Sequence, residues 1–346
     1  MLTQEKIKLA SQAAPQLAKT VVSEMKSGKR SMGLEWSDEV VSGKSTLKEM
    51  IGTDDGASDF LEKTTYDVYQ GREAIPLVYK DIYTTKEDRS FPRVMIAKEY
   101  GPVQTVFLEK LEGEEVRFGS LGAGVEKVVR FHTYAAGLEW SEDMVEYNEY
   151  WSLTDAAASF GESYNKLLNH LHMSPIISAS YTTTSATASV AKAAQEAGTP
   201  QLIAWNTDVK TTIQQAFDVL PLATQIIVNS GDLDYLERNI ATDILADNSE
   251  GPTKRRFNAL QKVVYDGDEV TVDGEVYTYT GVAAGFAYML VPKRQFTEYI
   301  KHDLLIDDDS GDLSRLIVAQ MVGRARRAVF AGLSGKYGVI KVDIRA

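Results

Sequence analysis

The spacing of apolar side chains predicts one helix that is longer than is usual in a globular protein. Between residues 152 and 172 an apolar residue recurs every three or four positions, which places these side chains on one helix face. The positions are Leu153, Ala157, Phe160, Tyr164, Leu167 and Leu171. Ser152 is the predicted N-cap, and Asp155 lies in the first turn. If residues 137–151 add an earlier turn, the helix approaches thirty residues, against a mean of about twelve.

Other stretches predict shorter helices. Residues 5–26 carry an apolar stripe that ends before Gly28, and this helix would pack on its own domain or on a neighbour. Three further helices are predicted at 208–219, 232–240 and 294–303. Asp232 is the predicted N-cap of the second of these. Residues 52–75 mix acidic residues, Gly and Thr, and we interpret them as a loop and connector.

Between residues 76 and 134 the pattern changes to short runs of β-branched and aromatic residues, which predict strands. The runs are 77–85, 93–100, 105–111, 114–120 and 126–134. Charged residues occupy both faces of these strands. A long hairpin of this kind cannot bury itself in its own core, so we expect it to lie on another surface or to project.

The second half of the chain predicts a mixed α/β region. Asp-Gly pairs at 266–267 and 273–274 separate alternating runs within residues 262–281, which is a strong signal for a β-hairpin. Further strands are predicted at 224–230, 285–293, 313–332 and 337–344.

The sequence Gly-Leu-Glu-Trp-Ser occurs twice, at 33–37 and 137–141, and each copy is followed by two acidic residues. The flanking sequences are unrelated, so this is not a duplicated unit. Each copy joins an apolar-aromatic anchor to a capping serine and acids suited to a helix N-terminus. We therefore predict that Ser37 and Ser141 each start a helix.

Composition narrows the possible functions. The chain has 346 residues and a net charge of −12, and such an acidic surface is not built to bind nucleic acid. Basic spots at 254–256 and at Arg324, Arg326 and Arg327 are interpreted as solvated faces or salt-bridged strand ends. The absence of cysteine excludes disulfides, thiolate metal sites and a cysteine nucleophile. No apolar stretch is long enough for a membrane span or an export signal.

Three motifs resemble ligand sites but lack essential residues. The segment 42–46 has Asp38 where a phosphate-binding loop needs its first glycine, and the glycines of 119–124 lack the dinucleotide-binding order. The acidic segment 307–314 has Val318 where a calcium loop needs glutamate. We interpret it as an acidic turn that starts or ends a strand.

The four histidines do not form a recognisable catalytic or zinc motif. They are His132, His170, His172 and His302. His170 and His172 are two apart on a helix, so they point in different directions. No nucleophile elbow is present. We therefore expect no catalytic residue, no cofactor and no metal ion, while an α/β enzyme with an unrecognised carboxylate site within 181–310 stays open as an alternative.

The order of elements resembles the major capsid proteins of tailed bacteriophages, whose Hong Kong 97-type fold is shared with encapsulin shells. An arm is followed by an extended β-loop, and the strand at 126–144 then leads to the long helix at 152–172. Ser141, Glu142 and Asp143 occupy the place where members of this family often have a serine and an acidic residue before their spine helix. The strand at 224–230 with Asn229, Asp232 and Tyr235 also resembles the family's pattern.

The resemblance implies an α+β fold in four parts. These are an N-terminal arm (1–50), an extended β-loop (76–127), a peripheral domain with a spine helix (51–75, 128–180 and 311–336) and an axial α/β domain (181–310 and 337–346).

It also implies a structural protein and not an enzyme. Such a subunit self-assembles into the hexamers and pentamers of an icosahedral shell that encloses double-stranded DNA without sequence-specific binding. The expected location is the virion, after assembly in the host bacterial cytoplasm, with no membrane contact. A scaffolding protein and a portal are expected partners, and decoration proteins stay an open class. The alternative is an encapsulin-like compartment, since the apolar stripe at 7–25 fits a helix that docks cargo.

Overall fold

The computed structural model describes residues 47, 54–104, 120–181, 188–190, 201–241, 252–272, 274–310, 317–333 and 338–344. Within these residues the helices are α1 (Asp54–Ala74), α2 (Glu142–Glu146), α3 (Tyr150–Ile177), α4 (Gln201–Val219), α5 (Ser230–Ala241) and α6 (Pro252–Asn258). The first seven strands are β1 (Thr84–Glu87), β2 (Val94–Gln104), β3 (Ser120–Arg130), β4 (His132–Ser141), β5 (Ala188–Val190), β6 (Gln225–Val228) and β7 (Gln261–Val264). The other six are β8 (Gly267–Val272), β9 (Glu275–Thr280), β10 (Phe286–Leu290), β11 (Phe296–Ser310), β12 (Ile317–Ala331) and β13 (Val339–Asp343). The predicted α+β class is confirmed.

A four-stranded sheet and the long helix α3 form the first core. The strand order is β1-β11-β12-β4, with β1 parallel to β11 and the other pairs antiparallel. Helix α3 lies against this sheet, and α1 packs along α3. Phe60 of α1 meets Trp140 of β4 edge to face, with ring centroids 5.5 Å apart. Both side chains are buried in the same apolar cluster as Leu153, Ala157 and Leu168 of α3.

A five-stranded sheet forms the second core, in the order β5-β13-β10-β6-β7. Strands β6 and β7 are parallel, whereas β10 is antiparallel to both of its neighbours. All four residues of β6 are buried. Helices α4, α5 and α6 contribute apolar side chains to the cluster that covers this sheet, among them Ile213, Leu236 and Phe257.

Two antiparallel hairpins extend from these sheets. The first pairs β2 with β3, and the second pairs β8 with β9. The hairpin predicted at the Asp-Gly pair 273–274 is confirmed, and Gly274 has the positive φ of 81° that this turn needs. The other pair, at 266–267, joins β7 to β8. Gly267 also has a positive φ, and a Cβ there would lie 2.3 Å from the Tyr279 carbonyl oxygen. Both the backbone conformation and the lack of space therefore require glycine at this position.

The segments 52–75 and 294–303 were assigned the wrong type of secondary structure. Residues 52–75 were expected to be a loop, but 54–74 form the 21-residue helix α1. Its buried side includes Lys63, Thr64 and Asp67, so it shows no continuous apolar stripe. The helix expected at 294–303 is instead the start of strand β11, because pairing with β1 on one side and β12 on the other determines its conformation.

The long helix was found from sequence but with the wrong start. It runs over 28 residues, from Tyr150 to Ile177, and Ser152 does not cap it. Its N-cap is Glu149, which makes no side-chain cap hydrogen bond. Ser141 does start a helix, as predicted, but that helix is the short α2, where the Met144 amide donates to Ser141 Oγ at 3.4 Å.

Other predictions are confirmed in part. Strands β6, β10 and β13 lie within their predicted segments, and the described residues of the segment 313–332 form strand β12. The predicted strand at 77–85 is mostly turn, since β1 begins at Thr84. Helix α5 begins at Ser230, so Asp232 is not its N-cap; its carboxylate accepts a hydrogen bond from the Gly285 amide at 2.7 Å. The helix predicted at 5–26, the start at Ser37 and most of the strands at 105–120 lie outside the described residues.

Candidate assembly surfaces

The base of the hairpin β2–β3, where side chains are described, has one face on the body and one face in solvent. Met95 and Val129 pack with Phe131, Tyr299 and Phe330 in an apolar cluster on the four-stranded sheet. At its base the Phe131 amide donates to the Arg93 carbonyl oxygen at 3.1 Å. Because side chains alternate along a strand, the neighbouring residues point the other way. The hairpin is therefore fixed at its base and presents its second face outward.

At the base of the hairpin that outward face carries three apolar side chains beside the exposed Arg130, which pairs with Val94. Val94, Ile96 and Val128 are 49%, 58% and 59% exposed, and Ile96 pairs directly with Val128 across the hairpin. Three adjacent β-branched side chains in water are unfavourable in an isolated subunit. Their burial by another surface would release that cost, so the hairpin is suited to contact a second molecule.

Aromatic side chains are also exposed where α2 leads into α3. Tyr147 and Trp151 both face solvent, and the Trp151 ring meets Tyr150 edge to face with centroids 5.1 Å apart. Asn148, between α2 and α3, has a φ of 56° and accepts a hydrogen bond from the buried Leu47 amide at 3.2 Å. The junction thus holds two large side chains on a defined turn, a second surface that a neighbouring molecule could cover.

Behind these surfaces an ionic cluster fastens α3 to the four-stranded sheet, and it is buried except for the half-exposed Asp303. Its centre is Arg327 of β12, which is 1% exposed. Arg327 Nη1 donates to Glu298 of β11, and Nη2 donates to Asp303 Oδ1 at 2.6 Å and to the Tyr164 hydroxyl at 2.5 Å. Tyr164 belongs to α3 and donates in turn to Asp303 at 2.8 Å. One guanidinium group therefore joins two strands and the long helix.

His172 extends the cluster along α3. Its Nδ1 lies 2.6 Å from the Leu168 carbonyl oxygen, which can only accept, so Nδ1 carries a proton. Its Nε2 lies 3.1 Å from Glu298 Oε1, within ion-pair distance. The Tyr79 ring stacks on the imidazole with centroids 3.5 Å apart, and the Tyr83 hydroxyl donates to the His172 carbonyl oxygen at 2.7 Å. The segment before β1 is thereby fixed to the same helix.

The cluster keeps its acidic members ionised. Burial alone would raise the pKa of Glu298, but its contacts with His172 and the charge of Arg327 hold that pKa below the ordinary value. Desolvation likewise opposes ionisation of Asp303, and the charges of Arg72 and Arg327 outweigh it and lower its pKa. Burial raises the pKa of Tyr164, which stays a hydrogen-bond donor. Opposite charges in fixed positions make this a rigid structural element.

Glycines bring α1 and α3 unusually close together. A Cβ on Gly161 of α3 would lie 1.9 Å from the Val68 carbonyl oxygen of α1, and a Cβ on Gly71 would lie 2.0 Å from the Ala158 carbonyl oxygen. Such approaches are possible only without side chains. The two helices therefore pack with their backbones in direct contact.

The candidate chemistry from sequence does not come together in one place. His170 stacks on Tyr279 while His172 faces Glu298, so their predicted divergence is confirmed. His132 lies on β4 and His302 on β11. Within the residues that the structure describes, no three metal-binding side chains converge, and no helix is long and apolar enough to cross a membrane. Asp307 lies in β11 and pairs with Arg324 at 2.7 Å, so this acidic segment continues a strand as far as Ser310.

Sequence reasoning missed the ionic cluster, although one signal was present. Along β12 the buried positions alternate as Met321, Gly323, Ala325 and Arg327, while Arg324 and Arg326 are exposed. The phase of this alternation places Arg327 on the buried face. The basic spot at Arg324, Arg326 and Arg327, which we interpreted as solvated or salt-bridged, thus contains two surface arginines and one core arginine.

Comparison with known proteins places this geometry in a family. The family model described as phage capsid protein matches residues 124–336, more than half of the chain. Among curated proteins no significant match is found.

The chain is also similar to several solved structures. The capsid of Myoviridae phage XM1 shows 11% identity and a TM-score of 0.46, over 78% of this chain and 92% of that one. The structure titled Mycobacterium phage Cain shows 13% identity and a TM-score of 0.45, over 78% and 91%. A virus-like particle from Pyrococcus furiosus shows 10% identity and a TM-score of 0.48, over 82% and 99%. By the family model, this chain belongs to the phage capsid protein family.

Proposed function

We propose that this protein is the major capsid subunit of a tailed bacteriophage, which assembles with copies of itself into hexamers and pentamers of an icosahedral shell around double-stranded DNA. The observation that carries the proposal is the β2–β3 hairpin, which presents Val94, Ile96 and Val128 to solvent from a rigid base. Three exposed apolar side chains on one strand pair have no use in an isolated subunit but suit a lateral contact between neighbours.

The two cores correspond to the two domains that we propose. The four-stranded sheet with α1 and α3 is the peripheral domain, and the five-stranded sheet with α4, α5 and α6 is the axial domain. The proposal places the hairpin β2–β3 in the extended β-loop. It also moves residues 296–310 from the axial to the peripheral domain, because β11 pairs with β12 and β1 along the four-stranded sheet.

The net negative charge of the chain supports a shell that encloses DNA without binding it tightly. The net charge of −12 would repel phosphates and keep free subunits soluble. We propose the virion as the location, assembly in the host bacterial cytoplasm, and a scaffolding protein and a portal as partners. The role is structural, as the family implies.

The experiment removes the hairpin without disturbing its base. Because Ile96 and Val128 are paired across the hairpin, residues 97–127 can be replaced by Asn-Gly, which forms a two-residue turn between such a pair. The same variant carries Ile96→Thr and Val128→Thr, so that the shortened hairpin also loses two of its three exposed apolar side chains. We expect the shortened chain to be soluble and folded by circular dichroism, but to form no shells in negative-stain electron microscopy under conditions where the full chain does.

Three outcomes would count against the proposal in different ways. Shells from the shortened chain would show that the hairpin is not an assembly element. Small shells of the full chain that hold protein instead of DNA would favour the encapsulin alternative. A full chain that stays monomeric at high concentration, alone and with a co-expressed scaffold, would contradict the shell function itself.

A further inference from the structure

The hairpin β8–β9 is acidic and partly apolar, and it projects from the axial core. Residues 266–280 include five acidic residues and no basic residue. Its exposed side chains include Glu269, Glu275 and the apolar Val272, Val276 and Tyr277. We call residues 266–280 the acidic hairpin. Acidic and apolar groups presented together define a surface that would bind a basic and apolar partner.

Contacts with the long helix fix the position of the acidic hairpin. Asp268 lies 3.4 Å from Lys166 Nζ of α3, and the Tyr279 ring stacks on His170 with centroids 4.9 Å apart. Asp266 accepts a hydrogen bond from the Ser230 amide at 2.7 Å. The outer half of the hairpin extends beyond these contacts. It is thus held in place before any partner binds, which lowers the entropic cost of binding.

A surface of opposite charge lies on the same domain. Helix α6 carries Lys254, Arg255 and Arg256, the latter two exposed, and no acidic residue. Arg256 donates to the Pro221 carbonyl oxygen at 3.0 Å, and its guanidinium lies 4.0 Å from the centre of the Phe217 ring. This contact sets α6 beside the exposed Val219 and Leu222. We call residues 217–222 and 252–258 the basic patch. With Asp218 counted, the basic patch still has an excess of two positive charges.

The two surfaces lie at opposite ends of the same pair of parallel strands. The basic patch precedes β6 and β7, since the turn after α4 leads into β6 and α6 leads into β7. The acidic hairpin leaves the far end of β7. A strand of four residues is roughly 13 Å long, so the two surfaces of one chain are held apart. They can meet only between different copies.

We propose that the acidic hairpin of one subunit binds the basic patch of the next subunit in the ring, so that this head-to-tail contact closes the capsomer. The inference rests on the proposed function, because it assumes that axial domains meet in rings. A contact between two different surfaces repeats around a ring when its rotation closes, and it allows both five and six copies. Complementary charge fixes the register, and the exposed apolar side chains add burial.

The test reverses charge on one surface at a time. The hairpin variant is Glu269→Lys with Glu275→Lys, which changes the net charge of the outer residues 269–275 from −3 to +1, while Asp266 and Asp268 keep their contacts with Ser230 and Lys166. The patch variant is Lys254→Glu with Arg255→Glu. Arg256 is left intact because it holds the 217–222 turn. Like charges brought together cost several kcal/mol, so each variant should raise the concentration needed for ring formation at least about tenfold. A variant with all four changes should assemble within about threefold of the unaltered chain.

A mixture of the two variants gives the sharpest outcome. A reversed hairpin fits only a reversed patch, so the two variants must alternate around a ring. Alternation requires an even number of subunits. Native mass spectrometry of the mixture should therefore show six-membered rings of three plus three chains and no five-membered rings. Five-membered rings in the mixture would overturn the inference.

Controls separate folding, general charge and the wider function. Asp59→Lys with Glu73→Lys makes the same charge change at exposed positions of α1 and should leave ring formation unaltered. If a reversed variant does not melt cooperatively by circular dichroism, glutamine at the same positions replaces it, with a smaller loss of ring formation expected. Rings from the single variants at unaltered concentration would overturn the inference and leave the shell function standing. Failure of the unaltered chain to form rings would instead count against the proposed function.

Discussion

Replacement of Glu298 by glutamine should strongly destabilise the subunit, although it exchanges only one carboxylate oxygen for an amide nitrogen. Glu298 is 2% exposed and has Arg327 and His172 within ion-pair distance. Glutamine keeps the shape and one acceptor oxygen but removes the charge. Arg327 would then remain buried with less compensation, although Asp303 at 2.6 Å and the Tyr164 hydroxyl at 2.5 Å stay in place.

The size of the destabilisation depends on the contacts that Arg327 keeps with Asp303 and Tyr164. Removal of one partner from a buried ion pair costs about 3–5 kcal/mol, and the retained Asp303 contact places Glu298→Gln near 3 kcal/mol, the lower end. For a protein of this size such a loss lowers the midpoint of thermal unfolding by roughly 4 °C. The double variant Glu298→Gln with Arg327→Met removes both charges, so its loss should be smaller than the sum of the two single losses.

The assay is thermal and urea unfolding of the unassembled chain, followed by circular dichroism at low protein concentration. Glu87→Gln on the adjacent strand β1 is the matched control, because Glu87 is exposed in the same sheet and its change should stay within about 0.5 kcal/mol. If Glu298→Gln is no more destabilising than Glu87→Gln, the ionic cluster does not fasten the helix to the sheet.

Three further results are expected. Gly161→Ala should destabilise the subunit by about 1–3 kcal/mol despite the higher helix propensity of alanine, because its Cβ would lie 1.9 Å from the Val68 carbonyl oxygen; unaltered urea unfolding would contradict this. Ile96→Asp should leave subunit unfolding within about 0.5 kcal/mol but raise the concentration for assembly, measured by light scattering, about tenfold, and equal assembly would refute the hairpin contact. Because the folded-state pKa of Glu298 is lowered, its contribution is complete above the ordinary value of 4.5 and is lost as the pH falls through the folded-state pKa. Acid titration of Glu298→Gln should therefore show a weaker loss of stability below pH 4.5 than the unaltered chain, and parallel curves would contradict this.

Local patterns were sufficient where one face of an element is uniformly apolar. The stripe from Leu153 to Leu171 predicted most of α3, and the Asp-Gly pair at 273–274 predicted the turn of the acidic hairpin. In both places the sequence carries the physical requirement itself: a repeat of 3.6 residues or a residue that tolerates positive φ.

Local patterns failed where polar or small residues are buried. Helix α1 hides Thr64, Asp67 and Gly71 against α3, so its buried side does not look apolar in the sequence. Strand β11 hides Glu298, which interrupts the alternation that marks a strand. In each case the partner that makes burial tolerable comes from far along the chain, as Arg327 does for Glu298.

The candidate assembly surfaces were anticipated only in outline. The charged strands between residues 76 and 134 suggested a projecting hairpin, but not which side would be apolar. The pairing of Ile96 with Val128 sets that side, and it depends on register, which sequence alone does not supply. The basic spot at 254–256 looked like a solvated face, and its position opposite the acidic hairpin appears only in the folded domain.

The shell function is tested most directly by electron microscopy of the purified full chain, with and without a co-expressed scaffold, combined with nuclease-protected DNA content of any particles. We predict closed shells built of five- and six-subunit rings, with DNA in particles assembled in cells. A chain that stays monomeric at every concentration, with and without the scaffold, or particles from phage-infected cells that never contain DNA, would contradict a capsid subunit that encloses a genome.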